Sequence, residues 1–191
     1  MRGYRPMLLK PITLVIFSTA LAVFGRDEIG VATYTRDLEQ EPVKGRCVAV
    51  TDGDTIRVLT ANKQQIRVRL AFVDAPETGQ AFGPRAKQAM SDLAFGKDLE
   101  LRPHTTDSYG RQVARIFIDN QDAGLELLKQ VLCWVYQKYV TEAPPEIQIS
   151  YRAAQAEAQS DKLGLWQDAA PVPPWEWRKE KLTSMQSASL L

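Results

Sequence analysis

The sequence has few of the residues that form nucleophile–histidine pairs or soft metal sites. It contains one histidine, His104, and two cysteines, Cys47 and Cys133, which lie far apart along the chain. The cysteines lack the spacing of a zinc site or a disulfide framework, so the simplest interpretation is two small buried hydrophobic residues. In an oxidising compartment they can pair if the fold brings them together. His104 follows Pro103 in a threonine-rich segment, and we expect it on a surface loop.

The sequence also lacks a strong excess of charge. Its 191 residues are 45% hydrophobic and 25% charged, which is typical of one soluble globular domain with additions. The net charge is +1, and the first 22 residues contribute +3 through Arg2, Arg5 and Lys10, which leaves −2 for the rest. A basic surface that wraps nucleic acid is therefore excluded, and anions must be bound by a few well-placed cations.

No apolar run reaches the ~20 residues that a membrane-spanning helix needs. Residues 12–24 are apolar and follow a basic segment, and Ala20 and Ala22 occupy the small-residue positions of a signal peptidase site. We predict a cleavable signal peptide over residues 1–25, with the mature chain starting near Val23. A retained N-terminal anchor and a buried core helix are the alternatives. The first two interpretations predict a secreted or periplasmic protein, or a membrane-anchored one facing outside the cytoplasm, with transient membrane contact through this segment.

The remaining chain alternates between strand-like and helix-like periodicity. Residues 26–41 read as a linker, residues 42–177 as one domain, and residues 178–191 as a disordered tail. Period-two segments predict five strands and period-3.6 segments predict three helices. The strands fall near residues 47–50, 56–59, 66–72, 99–101 and 113–118, and the helices near residues 86–94, 123–131 and 146–162. Five strands with a helix between the third and the fourth predict an α+β fold, a five-stranded OB-fold β-barrel with three helices. We expect a monomer.

Carboxylates lie at turns on both sides of the third predicted strand. If the flanking strands pair, Asp54, Asp74 and Glu77 meet at one end of the sheet, with Arg69 between them. Three carboxylates and a guanidinium are costly to cluster without a hard metal ion and a phosphate to neutralise them. The alternative is two solvated acidic turns around an ordinary strand, because Asp and Gly are common turn residues.

Four motifs in this order resemble the staphylococcal nuclease family. They are Asp-Gly-Asp-Thr at 52–55, Arg-Leu-Ala-Phe-Val-Asp-Ala-Pro-Glu-Thr at 69–78, Phe-Gly-Pro at 82–84 and Asp-Ser-Tyr-Gly-Arg at 107–111. Two further motifs, Gly-Leu-Trp at 164–166 and Pro-Pro-Trp-Glu-Trp at 173–177, are similar to its bacterial branch. The resemblance covers about residues 45–177.

The resemblance implies a calcium site and a water-activating carboxylate. Asp54 and Asp74 match the aspartates that ligate calcium, together with the backbone carbonyl of Ala75, and Asp52 matches an acid near the metal. Alanine replaces a threonine of the best-known member but keeps the carbonyl. Glu77 matches the glutamate placed near the attacking water. We expect substitution of Asp54 or Asp74 to abolish hydrolysis and to leave the fold intact, because both residues are predicted to lie at turns.

The resemblance also implies phosphate and nucleotide contacts. Arg69 and Arg111 match arginines that bind the scissile phosphate, and Tyr109 and Tyr139 match tyrosines that line the nucleotide site. Two departures from the best-known member bear on how the substrate is held. The loop at residues 77–84 is shorter, and Ser108 stands where that member has a phosphate-contacting lysine.

The function implied is a calcium-dependent nuclease that hydrolyses phosphodiester bonds of DNA, with RNA as a second candidate substrate and single strands preferred. One alternative is a catalytically silent OB-fold module in the cell envelope that binds nucleic acid or protein. Another is an envelope scaffold that docks through the Pro- and Trp-rich tail. The nuclease is favoured because all the implied metal and phosphate residues are present, whereas silent members of the family lose them.

Overall fold

The structure, a computed structural model, describes residues 41–188. The predicted signal peptide and nearly all of the predicted linker lie outside the described residues, so both stay predictions. Within residues 41–188, no helix is both long enough and apolar enough to cross a membrane.

Eight strands are found in the described residues. They are β1 (Val43–Val50), β2 (Thr55–Thr60), β3 (Gln65–Leu70), β4 (Val73–Asp74), β5 (Asp98–Thr106), β6 (Gln112–Ile118), β7 (Gln121–Asp122) and β8 (Trp134–Val135). β1, β2 and β3 form an antiparallel meander, β5 pairs with β1, and β6 pairs with β5. A parallel pairing of β3 with β6 closes these five strands into a barrel. The predicted α+β fold with an OB-type barrel is confirmed.

In the same part of the chain, residues 41–188, five α-helices pack around or extend from the barrel. They are α1 (Gly83–Ala94), α2 (Ala123–Lys129), α3 (Gln137–Val140), α4 (Pro145–Ser160) and α5 (Pro174–Ala188), with a 3-10 turn at Gly164–Gln167. The three predicted helices correspond to α1, α2 and α4. Pro84 in the first turn of α1 supports its start, because a first-turn proline has no hydrogen bond to lose.

The core lies inside the barrel and beneath α1. Val58, Val68 and Ile116 point inward because apolar residues alternate along their strands, and Met90 of α1 packs on the same core. Cys47 and Cys133 are both buried in this core as free thiols. The interpretation as two small buried hydrophobic residues is therefore confirmed.

A left-handed residue ends the third strand earlier than the alternation predicts. Phe72 has a φ of 65°, so the chain turns sharply after Leu70 instead of continuing as a strand through residue 72. The next two residues, β4, pair with β8, and the Phe72 carbonyl accepts a hydrogen bond from the Tyr136 amide at 2.8 Å. This turn places Asp74 under one end of the barrel.

The predicted disordered tail is wrong over residues 178–188, which continue helix α5. The composition is polar, but Glu, Lys, Arg, Leu and Met are good helix formers and no proline or glycine interrupts them. The start of the helix is fixed by packing, because the ring of Trp175 stacks on Tyr136 at 5.4 Å and meets Trp134 edge to face at 6.0 Å. Trp175 of the Pro- and Trp-rich segment thus packs on the domain.

Candidate active site

A cavity of about 760 Å³ opens at the end of the barrel where β2, β3 and the β5–β6 turn meet. Residues from α3 and α5 complete its wall. Eight of the nine predicted site residues line it, and the ninth, Asp74, is fully buried behind it. The eight are Asp52, Asp54, Arg69, Ala75, Glu77, Tyr109, Arg111 and Tyr139.

Arg69 links the two aspartates that were predicted to ligate metal. Its Nη2 donates to Asp54 Oδ2 at 3.0 Å and to Asp74 Oδ1 at 2.7 Å. The aspartates are 6% and 0% exposed, so the alternative of two solvated acidic turns is wrong. They are drawn inside because β3 and the left-handed turn at Phe72 place both beside the same guanidinium. Replacing either one therefore also disturbs a buried ion pair.

Burial and neighbouring charge shift the pKa values of the acids in opposite directions. Burial would raise the pKa of Asp54, but the charge of Arg69 and a hydrogen bond from the Ala75 amide hold it below its ordinary value. Burial raises the pKa of Asp74 to about 6, although hydrogen bonds from Arg178 act the other way. Burial, reinforced by the charge of Asp54, also raises the pKa of Asp52 to about 6. All three remain mainly ionised at neutral pH.

The oxygens around Asp54 are the type that a hard cation binds. The Asp54 Oδ2 atom accepts a hydrogen bond from the Ala75 amide at 3.2 Å, so the Ala75 backbone lies next to both buried aspartates. Asp52 supports the turn, since its Oδ1 accepts from the Asp54 amide at 3.1 Å. No group of three or more His, Cys, Asp or Glu side chains within residues 41–188 is already arranged around a metal position. The donor set of two carboxylates and a backbone carbonyl nevertheless suits calcium.

Arg111 is fixed by an aspartate that the sequence did not single out. Asp107 Oδ2 accepts from Arg111 Nε at 2.7 Å, and Asp107 Oδ1 accepts from the Arg111 amide at 2.9 Å. Burial would raise the pKa of Asp107, but these hydrogen bonds hold it below its ordinary value. The Arg111 guanidinium also lies over the Tyr109 ring, 5.4 Å from its centre. Asp107 thus orients Arg111 in the cavity wall, where its Nη1 donates to Thr55 Oγ1 at 3.4 Å.

Three tyrosines line one side of the cavity, and the sequence identified two of them. Tyr109 is 75% exposed and Tyr139 is 36% exposed, which leaves both rings accessible to a ligand. Tyr136 was missed; its ring meets Tyr139 edge to face at 4.8 Å, and the Arg69 guanidinium lies 5.6 Å from its centre. The alternation Trp-Val-Tyr at 134–136 marks it as a residue on the same side of the chain as Trp134.

Arg178 is the second functional residue that the sequence analysis missed. Its Nη2 donates to Asp74 Oδ2 at 2.7 Å, and its Nη1 donates to Glu77 Oε1 at 2.7 Å and to Asp74 Oδ1 at 3.2 Å. Burial would lower the pKa of Arg178, but these hydrogen bonds raise it. The one signal in the sequence is its place directly after the Trp-rich motif, and the predicted domain ends at that motif.

His104 lies on β5 and lines the cavity, so its expected place on a surface loop is wrong. The strand is irregular here, because the β5–β6 register shifts between Pro103 and Thr105. The ring packs edge to face on Phe72 at 4.9 Å, and Nε2 lies 2.9 Å from Glu142 Oε2. His104 therefore forms part of the cavity wall together with the left-handed turn.

Comparisons with known proteins match this architecture. The family model described as staphylococcal nuclease homologue matches residues 67–168. A Haemophilus influenzae protein named "Uncharacterized endonuclease" is 38% identical over 140 residues, which cover 73% of this chain and 75% of that protein. The "Micrococcal nuclease" of Shigella flexneri is 37% identical over 145 residues, covering 71% of this chain and 80% of that protein. "Protein ParB" of Escherichia coli is 35% identical over 147 residues, covering 72% and 80%.

Proposed function

The chain belongs to the staphylococcal nuclease homologue family and is a nuclease that hydrolyses phosphodiester bonds, and we propose that it requires calcium and prefers single-stranded DNA, with RNA as a second substrate. One observation carries this proposal. Two buried aspartates and two arginines, Arg69 and Arg111, converge on a single cavity whose open side is lined by tyrosines.

Calcium would be held by Asp54, Asp74 and the backbone carbonyl of Ala75. These are hard oxygen donors, and the two carboxylates supply the charge that a divalent cation needs. A bound cation neutralises part of the charge that develops on the phosphate oxygens during hydrolysis. Supporting this assignment, Arg69 already holds the two carboxylates together, so the site needs little rearrangement of the backbone.

The arginines supply the remaining positive charge for a phosphodiester. Arg111 is anchored through Nε to Asp107, and it lines the cavity with Nη1 in a long hydrogen bond to Thr55 Oγ1 at 3.4 Å. A planar guanidinium can donate two parallel hydrogen bonds to a phosphate, which a lysine cannot. A charged donor that is already in position needs little reorganisation when the transition state forms. Removing one such donor typically slows turnover by about 10²–10³-fold.

We assign to Glu77 the role of orienting or deprotonating the attacking water. Its carboxylate lines the cavity and is 34% exposed, so solvent reaches it, and one oxygen accepts from Arg178. A carboxylate can orient water or accept its proton only in its ionised form. We assign the other carboxylate oxygen of Glu77, Oε2, to the contact with the attacking water.

The aromatic wall supports the preference for single strands. Tyr109, Tyr136 and Tyr139 present ring faces or edges to the cavity. Bases of a single strand can stack on such rings, whereas bases in a duplex are already stacked and paired. Stacking does not depend on the sugar, so DNA and RNA are both expected to bind.

Digestion of matched substrates by the purified protein tests the proposal. Single-stranded DNA, duplex DNA and RNA of one sequence are incubated with calcium and then with an excess of chelator. We expect fastest cleavage of the single strands and no cleavage after chelation. Equal cleavage with the chelator contradicts the calcium requirement. Binding of single strands without cleavage in any condition would favour a silent OB-fold binder.

We also propose that the protein is an exported monomer. The support is the basic start, the short apolar run at residues 12–24 and the small residues at Ala20 and Ala22. N-terminal sequencing of protein recovered outside the cytoplasm should find a chain that starts near Val23. An intact Met1 on membrane-bound protein would favour the anchor, and a full-length soluble cytoplasmic chain would contradict both. Light scattering at micromolar concentration should give the mass of one chain.

A further inference from the structure

A row of arginines crosses the outer surface of the barrel beside the cavity. Arg57 of β2 lies directly opposite Arg67 of β3, and both side chains are exposed. Val68 of β3 pairs with Gln112 of β6 in a parallel ladder. The residues just before them, Arg67 and Arg111, therefore also lie on neighbouring strands, and the row continues onto Arg111. Neighbouring strands lie about 4.7–4.9 Å apart, so three positions span roughly 10 Å.

Two members of this row have no carboxylate partner among the described residues. Arg57 and Arg67 make no ion pair or side-chain hydrogen bond in residues 41–188, and they face each other. Other barrel arginines are paired: Arg46 with Asp98, Arg102 with Glu100 and Arg115 with Asp122. Like charges directly opposite on neighbouring strands destabilise a sheet. An unpaired cationic pair therefore indicates an anionic ligand outside the protein.

We propose that Arg57 and Arg67 form a phosphate subsite for the part of the nucleic acid strand that flanks the cleaved bond. Arg67 lines the cavity together with Arg69 and Arg111. A nucleic acid strand with one phosphate bound at Arg69 and Arg111 therefore continues directly to Arg67 and Arg57. A subsite of this kind also lets a chain with little net charge bind a polyanion. The inference rests on the proposed nuclease function.

The test is equilibrium binding of a fluorescent eight-residue oligothymidylate in chelator, measured by anisotropy over a range of salt concentrations. For Arg57→Ala/Arg67→Ala we expect affinity to fall about tenfold. The slope of log K against log salt should become shallower by about 1.4, since each phosphate contact on a single strand contributes about 0.7. Arg57→Lys/Arg67→Lys should retain most of the slope. Arg46→Ala is the matched control, because Arg46 is an exposed strand arginine that pairs with Asp98.

The possible results distinguish an error in the Arg57–Arg67 subsite from an error in the proposed nuclease function. Wild-type affinity and slope in Arg57→Ala/Arg67→Ala, in a protein whose wild type hydrolyses DNA, overturn the subsite and leave the nuclease function standing. The same loss in Arg46→Ala also overturns it, since the effect would then reflect net charge alone. Failure of the wild type to hydrolyse any nucleic acid would overturn the function itself. Because both arginines are exposed, circular dichroism should show an unchanged fold.

A second inference comes from a different observation, the position of Arg178 at the acids. Helix α5 is docked by Trp175 on Tyr136, and Gln80 Nε2 donates to the Val172 carbonyl just before the helix at 2.7 Å. From this position the Arg178 fork reaches both oxygens of Asp74 and one oxygen of Glu77. The guanidinium therefore neutralises the carboxylates that a divalent cation would need.

We infer that Arg178 competes with calcium for Asp74 and Glu77, so that docking of α5 opposes metal binding. A cation ligated by Asp74 would lie beside the guanidinium, and the two positive charges repel strongly in a buried site. Calcium must therefore displace Arg178, and the cost of displacement lowers the apparent affinity. The apparent affinity is reduced by the fraction of molecules in which Arg178 is released, so release in about one molecule in ten lowers it about tenfold. This second inference rests on the proposed calcium site.

Calorimetric titration with calcium, without nucleic acid, tests the competition. We expect Arg178→Ala and Arg178→Gln to bind calcium about tenfold more tightly than the wild type. Lys179→Ala is the matched control, because Lys179 lies on the same helix and pairs with Glu176 at 3.8 Å. Equal or weaker binding by folded Arg178→Ala and Arg178→Gln overturns the inference while the calcium site stands. Absence of calcium binding in every variant overturns the calcium site itself.

Discussion

Gly53 and Ala75 approach each other so closely that a β-carbon on Gly53 would lie 2.7 Å from the Cβ of Ala75. The same atom would lie 2.6 Å from the Cβ of Ala86 in helix α1. The turn that carries Asp54 is thereby pressed against the backbone that supplies the proposed carbonyl ligand. The φ of Gly53 is not positive, so the backbone conformation does not demand glycine. Glycine is required because there is no space for a side chain.

The first prediction follows from this contact. Gly53→Ala should push Ala75 away from Asp54 and weaken calcium binding, and overpacking should lower the free energy of unfolding by about 1–3 kcal/mol. Calorimetry and urea denaturation measure the two effects. Gly79→Ala is the control, because its added β-carbon would meet only the Trp177 ring at 3.6 Å. Unchanged calcium affinity in Gly53→Ala would show that the Ala75 carbonyl is not a ligand.

The second prediction concerns Asp122, which joins β6, α2 and α4. Its Oδ1 caps α2 by accepting from the Gly124 amide at 2.9 Å, and it also accepts from the Tyr151 hydroxyl at 2.8 Å. Its Oδ2 accepts from Arg115 at 2.8 Å and 3.0 Å. Removal leaves the Arg115 guanidinium, whose side chain is 16% exposed, without its carboxylate, and it also removes the cap of α2, so Asp122→Ala should lower the free energy of unfolding by about 3 kcal/mol.

Urea denaturation measures this loss, and two variants bracket it. Tyr151→Phe removes one hydrogen bond and should cost about 1 kcal/mol. Glu126→Ala breaks the more exposed pair with Lys129 and should cost less than about 1 kcal/mol. A cost for Asp122→Ala no larger than that for Glu126→Ala would mean that the network contributes little to stability.

The parts of the fold that the sequence predicted depend on local patterns. Alternation around Val58 and Val68 follows from the pleat of a strand, and Arg69 lies five residues before Asp74, so their neighbourhood is nearly fixed by the chain. The family resemblance supplied the remaining site residues because the motifs are contiguous in sequence.

The parts that the sequence did not predict depend on distant contacts. Arg178 meets Asp74 across 104 residues, and nothing in its local sequence distinguishes it from the other charges of α5. The helix itself looked disordered because the packing of Trp175 on Tyr136 is not visible in composition. Phe72 is similar, since a bulky residue with a positive φ is tolerated only where the surrounding structure holds it.

The third prediction separates charge from shape at the buried acid. Asp74→Asn should abolish measurable calcium binding and reduce hydrolysis to background, while preserving the side-chain volume. Asp74→Ala should do the same and should lower the melting temperature more than Asp74→Asn does, because asparagine loses the ion pairs to Arg69 and Arg178 but keeps one oxygen that can accept from them. Calorimetry, hydrolysis and thermal denaturation are measured side by side. Full hydrolysis by Asp74→Asn at saturating calcium would contradict the assigned metal role.

The last prediction distinguishes the catalytic roles of Arg111 and Glu77. Arg111→Lys keeps the charge but loses both the Nε contact to Asp107 and the planar two-point contact to phosphate. Turnover should fall by about 10²–10³-fold, as for loss of one preorganised donor, with a smaller change in calcium affinity. Glu77→Gln should also lower turnover and should flatten the acidic limb of the pH–rate profile if the carboxylate accepts the proton from water.

Single-turnover cleavage of a short single-stranded oligonucleotide across pH measures both effects, beside equilibrium binding of a nonhydrolysable dinucleotide. Both variants should still bind that analogue. Arg152→Lys is the control, since Arg152 is an exposed arginine of α4 whose Nη1 donates to Gln137. Near-wild-type turnover in Arg111→Lys would mean that this arginine is only a surface charge. An unchanged acidic limb in Glu77→Gln would mean that this limb reports another group and that Glu77 does not accept the proton from water.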